Sequence, residues 1–268
     1  TILSAFREHY KNEGYYEYSP PIFHPTQCEG GSTLFEVKYY DTKTYLTQSA
    51  QLYSEAMVFA LEKVFTIAPT FRAEKSKTSR HLSEFWMAEM EAAWVDLDGL
   101  QDDVEKLLKH IVKRVLEENK KELKILNRDI EKLKPILEKP FKRMSYSEVL
   151  KLLEEKDNMD VNWGKDLRTI EEENLSSHFD VPVMVTKYPK EIMAFYKPED
   201  PEKPDVALCL DVIAPEGYGE IVGGSQRELD IEKMKEELKK EGEDAKNYDW
   251  YFDLRRYGSV PHSGHGMG

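Results

Sequence analysis

Cysteine is almost absent from this chain: Cys28 and Cys209 are the only two in 268 residues. Neither has a CxxC partner, which argues against a disulfide framework or a cysteine-built zinc site and fits the reducing cytoplasm. Long apolar runs are missing as well. No stretch approaches the roughly 18 residues of a membrane helix, and the first residues lack the basic-then-apolar plan of a secretory leader. Positive charge is in deficit, with 38 Lys and Arg against 51 Asp and Glu and a formal net charge of −13. Such a chain is a poor general binder of nucleic acid, because affinity for the backbone depends on neutralising phosphates. Any RNA contact needs a local basic patch, and Lys75, Lys77 and Arg80 supply one.

What the chain does have is periodicity. Ile2, Leu3, Phe6 and Tyr10 recur at helical spacing before Gly14, and residues 15–18 read as a short strand. Residues 34–40 and 44–48 read as a hairpin with its turn at 41–43, followed by a helix over 51–62. Residues 64–74 and 85–95 read as paired strands. Val104, Leu107, Leu108, Ile111, Val112, Val115 and Leu116 trace the core-facing stripe of an amphipathic helix. Residues 118–180 are charge-rich and read as a helical insertion beside the core sheet. Residues 183–186 and 206–213 read as buried strands, 217–227 as a glycine-rich stretch and 261–268 as a glycine-rich turn. Strands without regular strand–helix alternation predict an α+β fold, a mostly antiparallel sheet flanked by helices.

One paired segment concentrates chemistry. Side chains two apart on a strand share a face, so Arg72 and Glu74 point together, as do Phe85, Met87, Glu89 and Glu91 on the returning strand. A cation for a phosphate, a ring for a base and several carboxylates describe a nucleotide site with room for an amino acid.

These residues resemble the class II aminoacyl-tRNA synthetases, in particular the asparaginyl/aspartyl branch. Residues 14–21, with Gly14, Pro20 and Pro21, look like that class's first motif, which builds a homodimer interface. Residues 71–91 look like the second motif and 262–268 like the start of the third. The strings Glu29-Gly30-Gly31, Gln48-Ser49-Ala50-Gln51-Leu52-Tyr53, Gly219-Glu220-Ile221-Val222-Gly223-Gly224-Ser225-Gln226-Arg227 and Asp253-Leu254-Arg255-Arg256-Tyr257-Gly258 are specific to the branch.

The resemblance implies one catalytic domain over residues 1–268 of a longer protein. The anticodon-reading barrel would precede it, and the end of the core, with its γ-phosphate arginine, would follow. It also implies activation of asparagine by ATP and transfer to tRNA(Asn), the loop at 75–83 touching the acceptor end. Arg72 would hold the α-phosphate, its planar fork suiting phosphate and carboxylate alike. Glu74 would accept from the adenine amino group and Phe85 would stack on the base, with Arg80, His81, Asp211 and Glu220 completing the ATP site. Asp211 and Glu220 offer hard oxygen ligands for Mg²⁺. Their parity on a continuous strand would put them on opposite faces, so the turn at 215–219 must break register. His262 and His265 are candidates to line the ATP site.

Glu29, Ser49 and Gln51 would hold the α-amino group of the amino acid, and Arg227 and Glu89 would read the side-chain amide, its oxygen and its NH₂. Relatives that activate aspartate carry a lysine at the position of Ser54, read here as a neutral helix-surface residue, and an aspartate at that of Glu89. Met193 stands where relatives suggest a lysine. The competing expectations are an aspartate-activating relative (an aspartyl-tRNA synthetase or a tRNA-independent asparagine synthetase on the same core) and a non-catalytic paralogue.

Overall fold

The computed structural model describes residues 1–28, 33–74 and 82–268. In chain order the elements begin with α1 (Ile2–Asn12), β1 (Tyr16–Glu17), β2 (Phe23–His24), β3 (Glu36–Tyr39), β4 (Thr42–Leu46) and α2 (Gln51–Leu61). Next come β5 (Lys63–Phe71), β6 (Glu84–Ala93), α3 (Leu97–Glu118), α4 (Lys120–Ile125), α5 (Lys134–Glu138), β7 (Lys142–Ser145), α6 (Tyr146–Asp157) and α7 (Thr169–Ser177). The chain continues with β8 (Val183–Thr186), β9 (Glu199–Asp200), β10 (Lys203–Ala207), β11 (Cys209–Ala214), β12 (Gly219–Gln226), α8 (Ile231–Lys240), α9 (Asp249–Arg256) and β13 (His262–Met267). The α+β expectation holds. Among the described residues no helix is long and apolar enough to cross a membrane.

Two compact units form. The first comprises Thr1–Gly14, Asp96–Met193 and Glu199–Ser225. Its strands run in the order β12–β11–β8–β7, antiparallel except for β7, which lies parallel to β8. Helix α3 starts where Asp96 caps it, accepting from the Gly99 amide at 2.8 Å, which satisfies an otherwise orphaned donor. It buries Leu97, Leu100, Val104, Leu107, Leu108 and Ile111; Val112, Val115 and Leu116 are only half-buried. Helix α6 opens on a capping box between Ser145 and Glu148 and ends at Asn158 in the left-handed region, a conformation asparagine tolerates. Its buried residues Tyr146, Val149 and Leu153 pack with Leu175, Val183, Val185 and Tyr188, and Met193 lies against this cluster.

The second unit comprises Tyr15–Val95, Ala194–Pro198 and Gln226–Gly268. Its strands run β1–β5–β6–β13, with β1 parallel to β5 and the remaining pairs antiparallel. A small sheet β2–β4–β3 stands beside them in the chain. Leu52 from α2, Met234 and Leu238 from α8, and Tyr251 and Phe252 from α9 share one buried cluster with Phe195 and Tyr248.

Four segment expectations need correction. Residues 118–180 are not wholly helical, since β7 joins the sheet beside β8. The run 206–213 is two strands: β10 pairs with β9 and β11 with β8 and β12. The β3–β4 turn falls at Tyr40 and Asp41, with Tyr40 at φ 52°, which leaves Lys43 in strand β4 with its ammonium on Glu36 at 2.9 Å. Residues 262–267 form a strand, not a turn. Its glycines permit close approach: an ideal Cβ on Gly264 would meet the Met90 carbonyl at 2.5 Å.

Candidate active site

Regular pairing of β5 with β6 stops at Phe71–Glu84, so Arg72 and Glu74 lie just beyond the strand rather than on it. The Arg72 amide still donates to the Ser83 carbonyl at 3.0 Å, but the Ala73 amide turns away to the Thr33 carbonyl at 2.7 Å. That diversion ends the ladder. The Arg72 guanidinium sits 5.8 Å from the centroid of the half-buried Phe85 ring, a cation–π distance. Its Nε is buried and has no hydrogen-bond partner among the described residues. A buried, unpartnered guanidinium N–H suits a ligand oxygen. Glu74 is half-buried nearby in sequence. Glu29, Arg80 and His81 lie outside the described residues.

Glu89, on β6, is buried, and its carboxylate accepts from the Ser49 hydroxyl and, at 2.9 Å, from the Ala50 amide. Ala50 is the N-cap of α2, so this carboxylate sits where the helix dipole favours negative charge. The Gln51 amide donates to Ser49 Oγ at 3.0 Å, and the Gln51 side chain reaches Glu55 Oε1 at 3.1 Å. Ser49, Gln51 and Glu89 are thus brought together. Ser54 is not a helix-surface residue: it is buried, 2.5 Å from the Tyr18 hydroxyl. Burial raises the Tyr18 hydroxyl far above its ordinary value, and Glu89 and Glu91 add to the effect. Ser54 therefore stands in the field of those carboxylates. Gln48 accepts from the Cys28 amide at 2.9 Å and donates to Thr33 Oγ1 at 2.6 Å, fixing both flanks of the segment that carries Glu29.

Arg227 points Nε and Nη2 at Glu91, at 2.8 and 2.9 Å, and its guanidinium lies 5.4 Å from the Tyr196 ring centroid. Below it sits Glu55, 4.0 Å from Arg227 Nε. Glu55 accepts from Tyr251 at 2.7 Å, Arg255 at 2.5 Å and His262 at 2.9 Å. Burial alone would raise the Glu55 carboxyl, but Arg255, His262 and Arg227 overcome it and hold it below the usual range. Glu91 goes the other way, burial outweighing the Arg227 fork. Arg227 is raised despite burial, by Glu91. Glu55, Glu91 and His262 offer ligand atoms within 4.8 Å of one another, but Arg227 and Arg255 already neutralise the carboxylates. The cluster is an ionic network. His262 belongs to it.

In the first unit, Asp211 pairs across β11–β12 with Gly223, and Ile213 pairs with Glu220. The register shifts between Val212 and Ile213, leaving Ile221 as an extra residue. This bulge, rather than the turn, breaks the parity. Both carboxylates turn to one side: an ideal Cβ on Gly223 would stand 3.0 Å from Glu220 Oε1 and 3.6 Å from Asp211 Oδ1. The buried Tyr188 hydroxyl hydrogen-bonds Asp211. Two convergent carboxylates over a bare glycine fit Mg²⁺, which takes hard oxygen ligands and keeps several waters.

Over residues 1–268 the sequence matches the family described as tRNA synthetases class II (D, K and N). The chain belongs to this family. The asparagine–tRNA ligase of Pyrococcus furiosus is 51% identical over all of this chain and 61% of its own length. The asparaginyl-tRNA synthetase from Pyrococcus horikoshii complexed with asparaginyl-adenylate is 50% identical, with TM-score 0.96 over 100% of this chain and 61% of that one. The Entamoeba histolytica asparaginyl-tRNA synthetase in complex with asparaginyl-adenylate is 31% identical, with TM-score 0.88, over 100% of this chain and 59% of that one. The chain thus spans about three fifths of these relatives.

For this class II synthetase chain, sequence reasoning missed Glu55 and Tyr251 entirely and left Arg255 without a role inside a quoted string. A signal was present for Glu55. It follows Gln51 by one helical turn, the spacing at which side chains meet.

Proposed function

We propose that this class II synthetase chain activates asparagine with ATP, forming asparaginyl-adenylate and pyrophosphate, and that the whole protein transfers the asparaginyl group to tRNA(Asn). The observation that carries this reading is the buried set of Glu89, anchored on the start of α2, and Arg227, held by Glu91. An asparagine amide needs an acceptor for its NH₂ and a donor for its oxygen, and Glu89 and Arg227 are those two groups. The names of the relatives agree.

In the reaction the α-carboxylate oxygen of asparagine attacks the α-phosphorus of ATP, and the bond to the pyrophosphate oxygen breaks. The nucleophile is already anionic, so no base has to remove a proton. The protein's work is positioning and charge stabilisation. Arg72, with its buried Nε, holds the α-phosphate; Phe85 stacks on adenine and Glu74 accepts from its amino group. Glu29, Ser49 and Gln51 hold the amino acid, and Arg80 and His81 belong to the ATP site. Asp211 and Glu220 hold Mg²⁺, which neutralises phosphate charge when bound. The protein is cytoplasmic and a homodimer through residues 14–21, where Tyr16 is 57% exposed and, just beyond, Phe23 is 51% exposed.

Aspartate would set a carboxylate against Glu89. At about 4 Å and an effective dielectric near 20 the repulsion is about 4 kcal/mol, enough for roughly 10³-fold discrimination. Pyrophosphate exchange by the full-length protein tests the reading. Exchange with asparagine and little with aspartate is expected. Exchange with aspartate, or ammonia-dependent asparagine formation without tRNA, would replace the proposal by the aspartate-activating alternative. ATP binding with no exchange would make the protein a non-catalytic paralogue.

A further inference from the structure

Arg227 has five N–H groups that could swing over several directions, and a group that reads an amide oxygen must hold one. Three observations bear on how it does so. Its Nε and Nη2 donate side by side to Glu91 at 2.8 and 2.9 Å, with the two side chains 4% and 1% exposed. A two-point fork fixes the plane of a guanidinium as well as its position. Glu91 in turn crosses the bare backbone of its strand partner Gly264. An ideal Cβ there would fall 2.0 Å from Glu91 Oε2 and 2.5 Å from its carboxyl carbon. Finally, Tyr196 lies 5.4 Å from the guanidinium, and Glu55, tied down by Arg255, Tyr251 and His262, backs it at 4.0 Å.

Stability alone is a poor reason for this arrangement. Replacing a buried ion pair by apolar side chains of similar volume is often neutral or stabilising. A glycine inside a strand also weakens it. Both features make sense if the direction of Arg227 is what matters.

From this geometry we infer that Glu91 is a positioning residue for amino-acid selection: it sets the plane of Arg227 toward the substrate amide, and Gly264 leaves it the space to do so. The inference rests on the proposed role of Arg227. Glu91 touches no reacting atom and acts only through the arginine.

The test is pyrophosphate exchange by the full-length protein, varying asparagine and ATP separately, in Glu91→Gln, Glu91→Asp and Arg227→Lys variants. KM is read only from folded molecules, so partial unfolding lowers the amplitude and leaves KM alone. Glu91→Asp keeps the ion pair and shortens the reach, which guards against a Gln variant that fails to fold. A displaced binding group costs up to about 10²-fold. The KM for asparagine should therefore rise about 10- to 100-fold in both Glu91 variants, while that for ATP stays within about twofold. If Arg227→Lys leaves the asparagine KM unchanged, the proposed role of Arg227 is wrong. If Arg227→Lys raises it but the Glu91 variants do not, or they raise both KM values alike, the positioning role is overturned and the proposed function stands.

Discussion

Replacing Arg255 by methionine strips one cation from a place no water reaches. The Arg255 and Glu55 side chains are 1% and 0% exposed, with Nη2 2.5 Å from Glu55 Oε2. Arg255 also donates to the Glu228 carbonyl from Nε and Nη2, at 3.1 and 3.0 Å. Methionine fills much of the space but leaves the carboxylate with Tyr251, Gln51, His262 and, at 4.0 Å, the Arg227 guanidinium. Breaking a buried pair from one side costs about 3–5 kcal/mol, and an unsatisfied buried carbonyl adds about 1 kcal/mol or more. The loss at pH 7 should be at least about 4 kcal/mol, a large share of a typical domain's 5–15 kcal/mol. Urea unfolding of both proteins measures it, with the m-values compared so that a shift in midpoint can be read as stability.

The pH dependence sharpens the test. In the wild type the Glu55 carboxyl lies below its ordinary value of 4.5 because Arg255, His262 and Arg227 overcome burial. It therefore contributes stability that is present above about pH 4.5 and lost as the pH falls. Without Arg255, burial takes over and the folded-state carboxyl moves up. The ionised group then costs stability at neutral pH, and the cost fades as the proton is taken. The wild-type contribution is constant from pH 7 to about 4.5, so the uptake of that proton by the variant makes the difference largest at pH 7 and smaller toward pH 4.5. A difference below about 1 kcal/mol at pH 7, or one that stays level down to pH 4.5, would refute the reasoning.

Three further outcomes follow from the same geometry. Ser54→Lys with Glu89→Asp should move the asparagine-to-aspartate preference in pyrophosphate exchange by about 10²-fold or more toward aspartate, because a cation then stands beside the carboxylates around Tyr18; continued selectivity for asparagine would sink the specificity argument. Gly223→Ala, whose methyl would crowd Glu220 at 3.0 Å beside Asp211, should raise the Mg²⁺ concentration for half-maximal exchange about tenfold; an unchanged Mg²⁺ curve would remove the pair as the metal site. Phe85→Ala should raise the KM for ATP about 5- to 160-fold, the value of 1–3 kcal/mol of base stacking, while the asparagine KM moves little. Equal changes in both would mean that the ring only supports the fold.

What could be read beforehand was whatever repeats. The α3 stripe, the paired strands β5 and β6 and the α+β class follow from spacing and from alternation, which local sterics impose. Glu89 was legible for the same reason, sharing a strand face with Phe85. The glycines of β13 misled because glycine ordinarily marks a turn. At Gly264 the reason is the Glu91 side chain, which fills the place of a Cβ, and no local pattern shows a neighbour brought in from more than 170 positions away. Ser54 misled likewise: a serine on a helix is usually solvated, and only the Tyr18 hydroxyl turned it into a buried contact. The ionic network is invisible for a deeper reason. Its members Glu55, Glu91, Arg227 and Arg255 are ordinary charged residues until the fold removes water from all of them at once.

The bulge at Ile221 carries a lesson about insertions and deletions. Without it, β11 and β12 would pair in unbroken register, and Glu220 would face away from Asp211, since alternate residues take opposite faces. Removing one residue there would give a more regular sheet and a scattered carboxylate pair. Adding one would scatter the pair again. The length of this hairpin can therefore drift only beyond the bulge, in the turn at residues 215–218, where a change in count leaves the phase of both strands intact. In this hairpin the irregular position, rather than either acidic side chain, is the one a lineage can least afford to edit.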